Sequence, residues 1–168
     1  MGASNYAAWE LMEALWTSDK YGLARFDSLQ PHYNLIERDE FERELRAVCA
    51  KFGLAVIPYS PLAGGFLTGK YRKGQPMPDS VRARRLEHAC TDKNFRLIDA
   101  LDEIAQVHSA SISQIALAWM LMDPVITSPI VGPNKLEQLT DNLAALNVKL
   151  TVEEKKSLDG LTAWQEEA

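Results

Sequence analysis

Four short groups of residues with hydroxyl, amide, aromatic or small side chains follow the segments in which the sequence predicts strands. These groups are Ser4 with Asn5, residues 30–33, Tyr59 with Ser60 and Leu62, and residues 132–135. In parallel α/β folds, ligands gather at the carboxyl ends of the strands. Because the groups hold no matched general acid and base, their composition favours binding a cofactor over proton-transfer chemistry.

The segment IVGPNK, residues 130–135, stands immediately before a predicted helix. Free backbone N–H groups at a helix N-terminus bind anions, and Lys135 lies close enough in sequence to assist. The glycine-containing stretch PLAGGFLTGKY, residues 61–71, is weaker evidence, because GFLTGK lacks the spacing of a Walker A motif. Residues 132–135 are therefore the better candidate for a phosphate site.

Each of these candidates also has a structural interpretation that needs no ligand. Ser4 and Asn5 can cap the helix that follows them, and a serine or asparagine is common at that position. Gln30 can be a core amide with its hydrogen bonds satisfied, and Tyr59 can be an ordinary packing residue. The residues taken singly therefore leave both interpretations open.

The histidines and cysteines of the chain show no pattern typical of a metal site. His32, His88 and His108 lack metal-ligand spacing, and Cys49 and Cys90 fit neither CxxC nor zinc spacing. Cys49 falls in an apolar run and is predicted to be a small buried residue. We therefore expect no metal, no disulfide and no catalytic Cys–His or Ser–His–Asp arrangement.

Strands and helices alternate along the chain, which predicts βαβ units and a parallel sheet. Strands are predicted at residues 26–30, 54–57 and 125–132, and helices at 6–18, 38–52, 93–108, 113–122, 136–146 and 151–161. Predicted helix ends are Asn5, Ser111 or Ser113 and Thr151 as N-caps, with Gly22 and Gly53 at C-termini. Residues 2–5 directly precede a helix, where a strand should end, so we expect the chain to begin inside a strand–helix unit.

Composition limits the classes of function. The chain has 168 residues, 46% of them hydrophobic and 24% charged, with a net charge of −5. An acidic chain is unsuited to general nucleic-acid binding. The cluster of Arg82, Arg84 and Arg85 is interpreted as a solvated part of the long polar stretch 68–92. With no signal peptide and no 18-residue apolar run, we expect a cytoplasmic protein without a membrane partner.

Five segments in this order and spacing are more specific than any one of them. They are GASNY, SLQPHYNL, VIPYSPLAGGFLTGKY, QIALAWML and IVGPNKLEQLTDNLAAL. The chain resembles the C-terminal half of the aldo/keto reductase superfamily from residue 2 to about residue 164. It looks closest to the bacterial branch, which also contains relatives of the potassium-channel β subunits. The resemblance implies an α/β fold of parallel strands: half of a (β/α)8 TIM barrel, about strands 5–8 with their helices. Residues 1–168 would then be one partial domain whose N-terminal half is absent.

The resemblance also implies an NADP(H) site. Ser4, Asn5 and Gln30 match residues that hold the nicotinamide carboxamide, and Tyr59 matches the aromatic residue that stacks on the nicotinamide ring. Ser60, Leu62, Gly64 and Leu67 match the loop along the pyrophosphate, with Lys70 near the phosphates. Gly132, Asn134, Lys135, Gln138, Asp141 and Asn142 match the segment that holds the adenosine 2′-phosphate and the adenine.

The chain departs from the family pattern at two positions and in one large respect. Pro133 replaces a common Ser or Ala and removes a backbone N–H donor, and Gln138 replaces a common Arg, which weakens the expected preference for NADP(H) over NAD(H). The family's catalytic Tyr, Lys, Asp and His belong to strands two to four, which no segment of this chain matches. No residue here is therefore expected to be catalytic.

Three functions remain open. The first is the NADP(H)-binding portion of an oxidoreductase that reduces a small-molecule aldehyde or ketone in the full-length protein, with this chain inactive alone. The second is a non-catalytic nucleotide-binding module, or a half-barrel that self-associates through its exposed edges. The third is a channel-associated β subunit, which nothing in this sequence favours.

Overall fold

Three short parallel strands form the sheet in the part of the chain that the structure, a computed structural model, describes: residues 1–75 and 83–164. The strands are β1 (Gly2–Ser4), β2 (Ser28–Gln30) and β3 (Ala55–Val56), in the spatial order β1-β2-β3. Ser4 lies opposite Gln30, and Leu29 opposite Val56. This parallel sheet confirms the α/β fold that the alternating pattern predicts.

Helices follow the strands and cover the sheet. They are α1 (Ala8–Tyr21), α2 (Arg46–Phe52), α3 (Asp92–His108), α4 (Ile112–Leu121), α5 (Leu136–Ala144) and α6 (Val152–Leu161). A π-helical turn, Phe41–Leu45, leads into α2, and 3₁₀ turns occupy Ala63–Thr68, Ala83–Ala89 and Ala145–Asn147. Each predicted helix is present. Arg82 lies outside the described residues, as do the side chains of Arg84 and Arg85, so the predicted basic cluster stays a prediction.

Several helix ends form as their residue types dictate. Gly22 and Gly53 end α1 and α2, each with φ near 62°, a left-handed conformation that glycine adopts without a steric penalty. Ser111 caps α4 and Thr151 caps α6, and each side chain accepts a hydrogen bond from the backbone N–H three residues on. Thr151 and Glu154 thus form the predicted capping box.

The predicted cap of the first helix is wrong. The N-cap of α1 is Ala7, whose backbone N–H donates to Glu10 Oε2 at 2.8 Å. Asn5 lies two residues earlier in a left-handed conformation with φ of 55°, and its Oδ1 accepts a hydrogen bond from the Tyr59 hydroxyl at 3.1 Å. The asparagine amide is therefore engaged across the sheet and is unavailable to the helix.

The strand predicted at residues 125–132 is reduced, within the described residues, to an isolated bridge between Val56 and Ile126. The Val56 N–H donates to the Thr127 side-chain hydroxyl at 3.1 Å instead of to a backbone carbonyl. Pro58 has no N–H, although its carbonyl accepts from Ile130 N at 2.8 Å. The segment lies beside β3 as expected, but a side chain and a proline interrupt the ladder of a regular strand.

A single core joins the sheet to its helices. Leu11, Leu29, Val56, Leu97 and Ile115 are all fully buried within it. Burial on this scale is the main favourable contribution to folding of a domain of this size.

Cys49 and Cys90, which both lie in the described part of the chain, form no disulfide. Cys49 is buried as predicted, and burial raises the pKa of its thiol to about 11. A thiol with so high a pKa carries little thiolate at neutral pH and is therefore a poor nucleophile.

A network of charged and polar groups around Arg38, the Arg38 seam, joins residues 159–164 to the segment before α2. Arg38 makes two hydrogen bonds to Glu42, at 2.8 and 2.9 Å, and donates to the Asp159 carbonyl and to Thr162 Oγ1. Glu42 also accepts from the Trp164 indole and from the Tyr33 hydroxyl. Burial, together with the adjacent Glu42 carboxylate, raises the pKa of Tyr33. These side chains line a concavity of about 350 Å³. Because their charges and hydrogen-bonding groups are paired with one another, we interpret the concavity as part of the packing and not as a ligand site.

No helix in residues 1–75 and 83–164 is both long enough and apolar enough to cross a membrane.

Candidate functional site

A cavity of about 620 Å³ opens between the loop after β3 and the segment around the start of α5. This volume lies in the range of small-molecule and cofactor sites, roughly 300–1,000 Å³. The predicted cofactor residues that line it are Ser60, Leu62, Gly64, Lys70, Gly132, Asn134, Gln138, Asp141 and Asn142. Two segments about 70 positions apart in sequence therefore share one cavity, which their spacing alone could not establish.

The backbone of the loop after β3 is held in unusual conformations along the cavity. Ser60 and Ala63 have φ of 55° and 47°, and Gly64 and Gly65 have φ of 63° and 100°. Left-handed residues other than glycine are uncommon, and they concentrate at functional sites where the surrounding structure enforces them. At Gly65 a Cβ would lie in van der Waals contact with the Lys70 ammonium, at 3.4 Å, and the φ of 100° would strain any side chain placed there.

Asn34, which was not among the predicted site residues, holds Ser60 in this conformation. Its side chain is fully buried, and its Nδ2 donates to the Ser60 carbonyl at 3.1 Å. Its Oδ1 accepts from the N–H groups of Ile36 and Glu37, at 2.9 and 3.0 Å. An asparagine that closes a turn on its own backbone is a recognisable local signal, but the partner 26 residues away is visible only in the fold.

The opposite wall of the cavity is the segment that leads into α5. Asn134 N donates to Gln138 Oε1 at 2.8 Å, which folds residues 132–135 against the first turn of the helix. Lys135 is the N-cap, and its side chain makes no capping hydrogen bond to the first turn of the helix. Free N–H groups at a helix N-terminus can bind an anion, and the phosphate site that the position of IVGPNK predicts stays a prediction.

A second group of predicted residues meets beside the cavity, at the carboxyl ends of the strands. Strand pairing places Ser4 opposite Gln30, and Ser4 Oγ donates to the Gln30 carbonyl at 2.9 Å. The Tyr59 hydroxyl donates to Asn5 Oδ1, which joins β1 to the end of β3. Tyr59 belongs to this group, and the next residue, Ser60, lines the cavity, so the group lies next to the cavity wall.

His32 packs against the aromatic ring of this group. Its ring lies parallel to that of Tyr59, with centroids 5.0 Å apart and an angle of 12° between the planes. The sequence predicts His32 only as a non-ligand, since nothing in its spacing indicates a stacking partner. One face of the Tyr59 ring is thus supported by protein, and this support fixes the ring orientation.

Leu67 and Lys135 stand apart from the remaining predicted residues. Leu67 is fully buried in the core, and its side chain lies outside the lining of the cavity. Lys135 is exposed at the start of α5 and also lies outside that lining. Lining residues that were not predicted include Pro61, Thr68 and Ser113.

The chemistry available in the cavity is that of binding. Its charged side chains are Lys70 and Asp141, and the rest of the lining is hydroxyl, amide, glycine, proline and aliphatic. No group of three or more His, Cys, Asp or Glu side chains in residues 1–75 and 83–164 is placed to hold a metal ion. A cation, a free helix N-terminus and tight glycine turns together suit a phosphate-bearing ligand.

Comparison with known proteins gives a family match and several relatives of similar sequence. The model of the aldo/keto reductase family matches residues 1–163. The versiconal hemiacetal acetate reductase of Aspergillus parasiticus is 35% identical over 167 residues, covering 95% of this chain and 47% of that protein. The uncharacterized oxidoreductase YrpG of Bacillus subtilis is 32% identical over 162 residues, covering 96% of this chain and 48% of that protein.

A third relative carries a different kind of name. The Oryza sativa subsp. japonica protein named "Probable voltage-gated potassium channel subunit beta" is 34% identical over 152 residues, covering 88% of this chain and 46% of that protein. The chain spans about half the length of the curated relatives it matches. These relatives come from a fungus, a bacterium and a plant, so the closeness to a bacterial branch stays a prediction. The match over residues 1–163 nevertheless decides the family: the chain belongs to the aldo/keto reductases.

Proposed function

We propose that this chain forms the NADP(H)-binding portion of an aldo/keto reductase that reduces an aldehyde or ketone by hydride transfer. The observation that carries the proposal is the shared cavity, in which residues predicted for the pyrophosphate face residues predicted for the 2′-phosphate and the adenine. The cofactor supplies the hydride, and the chain's own residues bind and orient it.

The geometry suggests a division of labour along the cofactor. The free first turn of α5 and Lys135 receive the 2′-phosphate, and the loop around Gly64 and Lys70 follows the pyrophosphate. Tyr59, backed by His32, offers its ring to the nicotinamide, beside Ser4, Asn5 and Gln30. Discrimination between NADP(H) and NAD(H) then rests on the helix end and Lys135, with the Gln138 NH₂ as a further donor, since only its Oε1 is bonded to Asn134 N.

Glycine substitutions test the phosphate cavity directly. Gly65→Ala introduces a Cβ at φ of 100° against Lys70, whereas Gly74→Ala introduces one at φ of 76° with nothing within 4 Å. Both variants should lose about 1 kcal/mol of stability from backbone strain. Only Gly65→Ala should weaken binding of adenosine 2′,5′-bisphosphate in titration calorimetry. Equal affinities in the two variants would argue against this cavity as the phosphate site.

The nicotinamide end has a separate test. Tyr59→Leu removes the ring and should weaken NADPH binding by roughly 2- to 10-fold, the magnitude of an aromatic stacking contribution. Binding of adenosine 2′,5′-bisphosphate, which lacks nicotinamide, should be unchanged. Tyr59→Phe is the matched control, because it keeps the ring and removes only the hydroxyl that donates to Asn5. A loss of affinity for both ligands in Tyr59→Leu would show general damage to the fold.

We also propose that the chain by itself does not turn over substrate. Acid catalysis contributes about 10²- to 10⁴-fold, and by the family resemblance its donor belongs to strands that no segment here matches. Purified chain incubated with NADPH and a panel of aldehydes and ketones should therefore show no cofactor oxidation above background in an absorbance assay. Clear carbonyl-dependent turnover would refute this part of the proposal.

Self-association is the second candidate, and exposed apolar side chains favour it. On α5, Leu136, Leu143 and the following Leu146 are 74%, 56% and 61% exposed, and on α1 Trp9 and Trp16 are 66% and 58% exposed. Exposed apolar side chains that form a patch mark association sites, and each of these helices carries several. A channel-subunit role has weaker support, because that relative matches largely the same residues as the reductases.

Light scattering on graded concentrations tests the association. We expect a mass above that of the monomer, reduced by Leu136→Gln combined with Leu143→Gln. Val107→Gln is the control, since Val107 is 77% exposed on α3, away from these faces. A concentration-independent monomer in the wild type would dismiss the candidate.

A further inference from the structure

Helix α5 forms a wall of the cavity but has little apolar anchorage. None of its nine residues, all of them described, is buried, and Leu136 and Leu143 are mainly exposed. Its neighbour α4, against which it packs, is by contrast almost entirely buried. Apart from Ala145, the buried C-cap, hydrophobic burial therefore contributes little to the position of α5, so polar contacts nearer its N-terminus become important.

Asp141 provides those contacts. Its Oδ2 accepts a hydrogen bond from Ser111 Oγ at 2.9 Å, and its Oδ1 accepts one from Gln114 Nε2 at 2.6 Å. Both oxygens of the carboxylate are thus directed at the N-terminus of α4. Hydrogen bonds to a charged acceptor are about twice as strong as neutral ones.

The two donors are themselves fixed by the capping box of α4. Gln114 N donates to Ser111 Oγ at 3.2 Å, and Ser111 N donates to Gln114 Oε1 at 3.4 Å. This arrangement uses the acceptor of each side chain, so that the Ser111 hydroxyl proton and the Gln114 amide protons remain for Asp141. The carboxylate completes a network whose other members cannot reorient without breaking the cap.

The same network leads back to the cavity wall. Gln138, one turn before Asp141, accepts from Asn134 N at 2.8 Å and holds the 132–135 segment on α5. A displacement of α5 would therefore move the segment that is proposed to receive the 2′-phosphate. Gln114 lies outside the lining of the cavity, whereas Asp141 is part of it.

We propose that Asp141 is a positioning residue, whose carboxylate clamps α5 to the capping box of α4 and thereby sets the affinity of the cavity for the 2′-phosphate. The proposal rests on the proposed nucleotide binding for its effect on affinity. The clamp itself exists without a ligand and can be tested without one.

An exchange of donor and acceptor tests the clamp. Asp141→Asn keeps one acceptor oxygen and places an NH₂ against either the Ser111 hydroxyl or the Gln114 NH₂, and Gln114→Glu places a carboxylate against the Asp141 carboxylate. Each single variant should bind adenosine 2′,5′-bisphosphate about 5- to 10-fold more weakly, the effect of one lost hydrogen bond. In the double variant, the amide introduced at position 141 can donate to the carboxylate introduced at position 114 and accept from Ser111. Affinity should then return to within about 2-fold of wild type.

Hydrogen exchange without nucleotide provides the second readout. The amides of α5 should exchange faster in both single variants and recover in the double variant, while those of α6 stay unchanged. If wild-type chain fails to bind the nucleotide, the proposed function is wrong and this exchange pattern still decides the clamp. Gln114→Ala serves if Asp141→Asn does not fold, with an expected loss of affinity of about 5-fold.

Two results would overturn the proposal. One is weaker binding in Asp141→Asn alone, with Gln114→Glu and Gln114→Ala at wild-type affinity and no rescue in the double variant, which would assign Asp141 to direct ligand contact. The other is unchanged α5 exchange in both single variants, which would show that something else holds the helix.

Discussion

Helices α4 and α5 are neighbours that differ in burial and in the capping of their N-termini. Eight of the ten residues of α4 are buried, and a complete capping box satisfies its first turn. None of the nine residues of α5 is buried, and its N-cap side chain makes no capping hydrogen bond. Capping uses the backbone donors that an anion would need. The difference is that α4 is buried and capped, whereas α5 is neither, which agrees with the proposal that the α5 N-terminus receives a phosphate.

Matched leucine truncations should give the largest contrast between the two helices. Leu117 on α4 is 2% exposed and Leu136 on α5 is 74% exposed. Leu117→Ala should lower the free energy of unfolding by about 2–5 kcal/mol, through lost burial and the cavity left behind. Leu136→Ala should change it by less than about 0.5 kcal/mol. Urea unfolding measures both, and similar losses would abolish the proposed distinction.

A cap added to α5 should sharpen the comparison. Lys135→Ser and Lys135→Ala both remove the cation, but only serine can accept a hydrogen bond from the first turn. Lys135 has the extended backbone of an N-cap, with φ of −135° and ψ of 153°. The serine variant should be more stable than the alanine variant by about 1 kcal/mol.

The binding of adenosine 2′,5′-bisphosphate to these two variants should follow the reverse order. The serine hydroxyl accepts a hydrogen bond from an N–H group that the phosphate would otherwise use. Lys135→Ser should therefore bind the nucleotide more weakly than Lys135→Ala. Titration calorimetry on the pair supplies the measurement. Tighter or equal binding by the serine variant would mean that the helix N-terminus does not hold the phosphate.

The far end of α4 has a smaller, pH-dependent anchor. Asp123 follows the helix and accepts two hydrogen bonds from Arg46, at 2.6 and 2.9 Å. Burial opposes ionisation of Asp123, but the hydrogen bonds from Arg46 and from Val125 N outweigh it and lower its pKa. Its stabilising effect is therefore complete above the unfolded pKa of about 3.9 and is lost as pH falls through the lower folded pKa.

Asp123→Asn should accordingly destabilise the protein by about 1 kcal/mol at pH 7, a figure reduced because Arg46 is 41% exposed. The difference from wild type should shrink as pH falls below about 4, because the carboxylate is protonated first in the unfolded state and, at a lower pH, in the folded state. Unfolding curves from pH 7 down to pH 3 provide the check. A difference that is constant with pH would exclude the ion pair as its cause.

The sequence predicts best what depends on local chemistry. The caps Ser111 and Thr151 and the terminators Gly22 and Gly53 act within a few residues, and each forms as its type dictates. Asn5 misled the prediction because its amide has a partner 54 residues away, the Tyr59 hydroxyl. A local rule cannot anticipate such a competitor.

The candidate site divides along the same line. The types and order of the residues around Ser60 and Gly132 indicate a cofactor site, because strand ends and helix starts are recognisable in sequence. The contacts that position them are not, since Asn34 meets Ser60 and Asp141 meets Gln114 only after the chain has folded. The prediction of a regular strand at residues 125–132 is wrong because an apolar run does not reveal which group accepts from Val56 N. The acceptor is the Thr127 side chain instead of a backbone carbonyl.

The Arg38 seam has a consequence for the order in which the chain acquires its structure. Arg38 bonds to the Asp159 carbonyl and to Thr162, 121 and 124 residues further on. At roughly 5–20 residues per second of synthesis, about 6 to 24 seconds separate the emergence of these partners. During that interval the guanidinium has its local pair with Glu42 and, once α4 has emerged, the Trp119 ring, whose centroid lies 5.4 Å from it in the folded protein. The contacts to Asp159 and Thr162 can form only after α6 has been synthesised, so the seam is completed at that point.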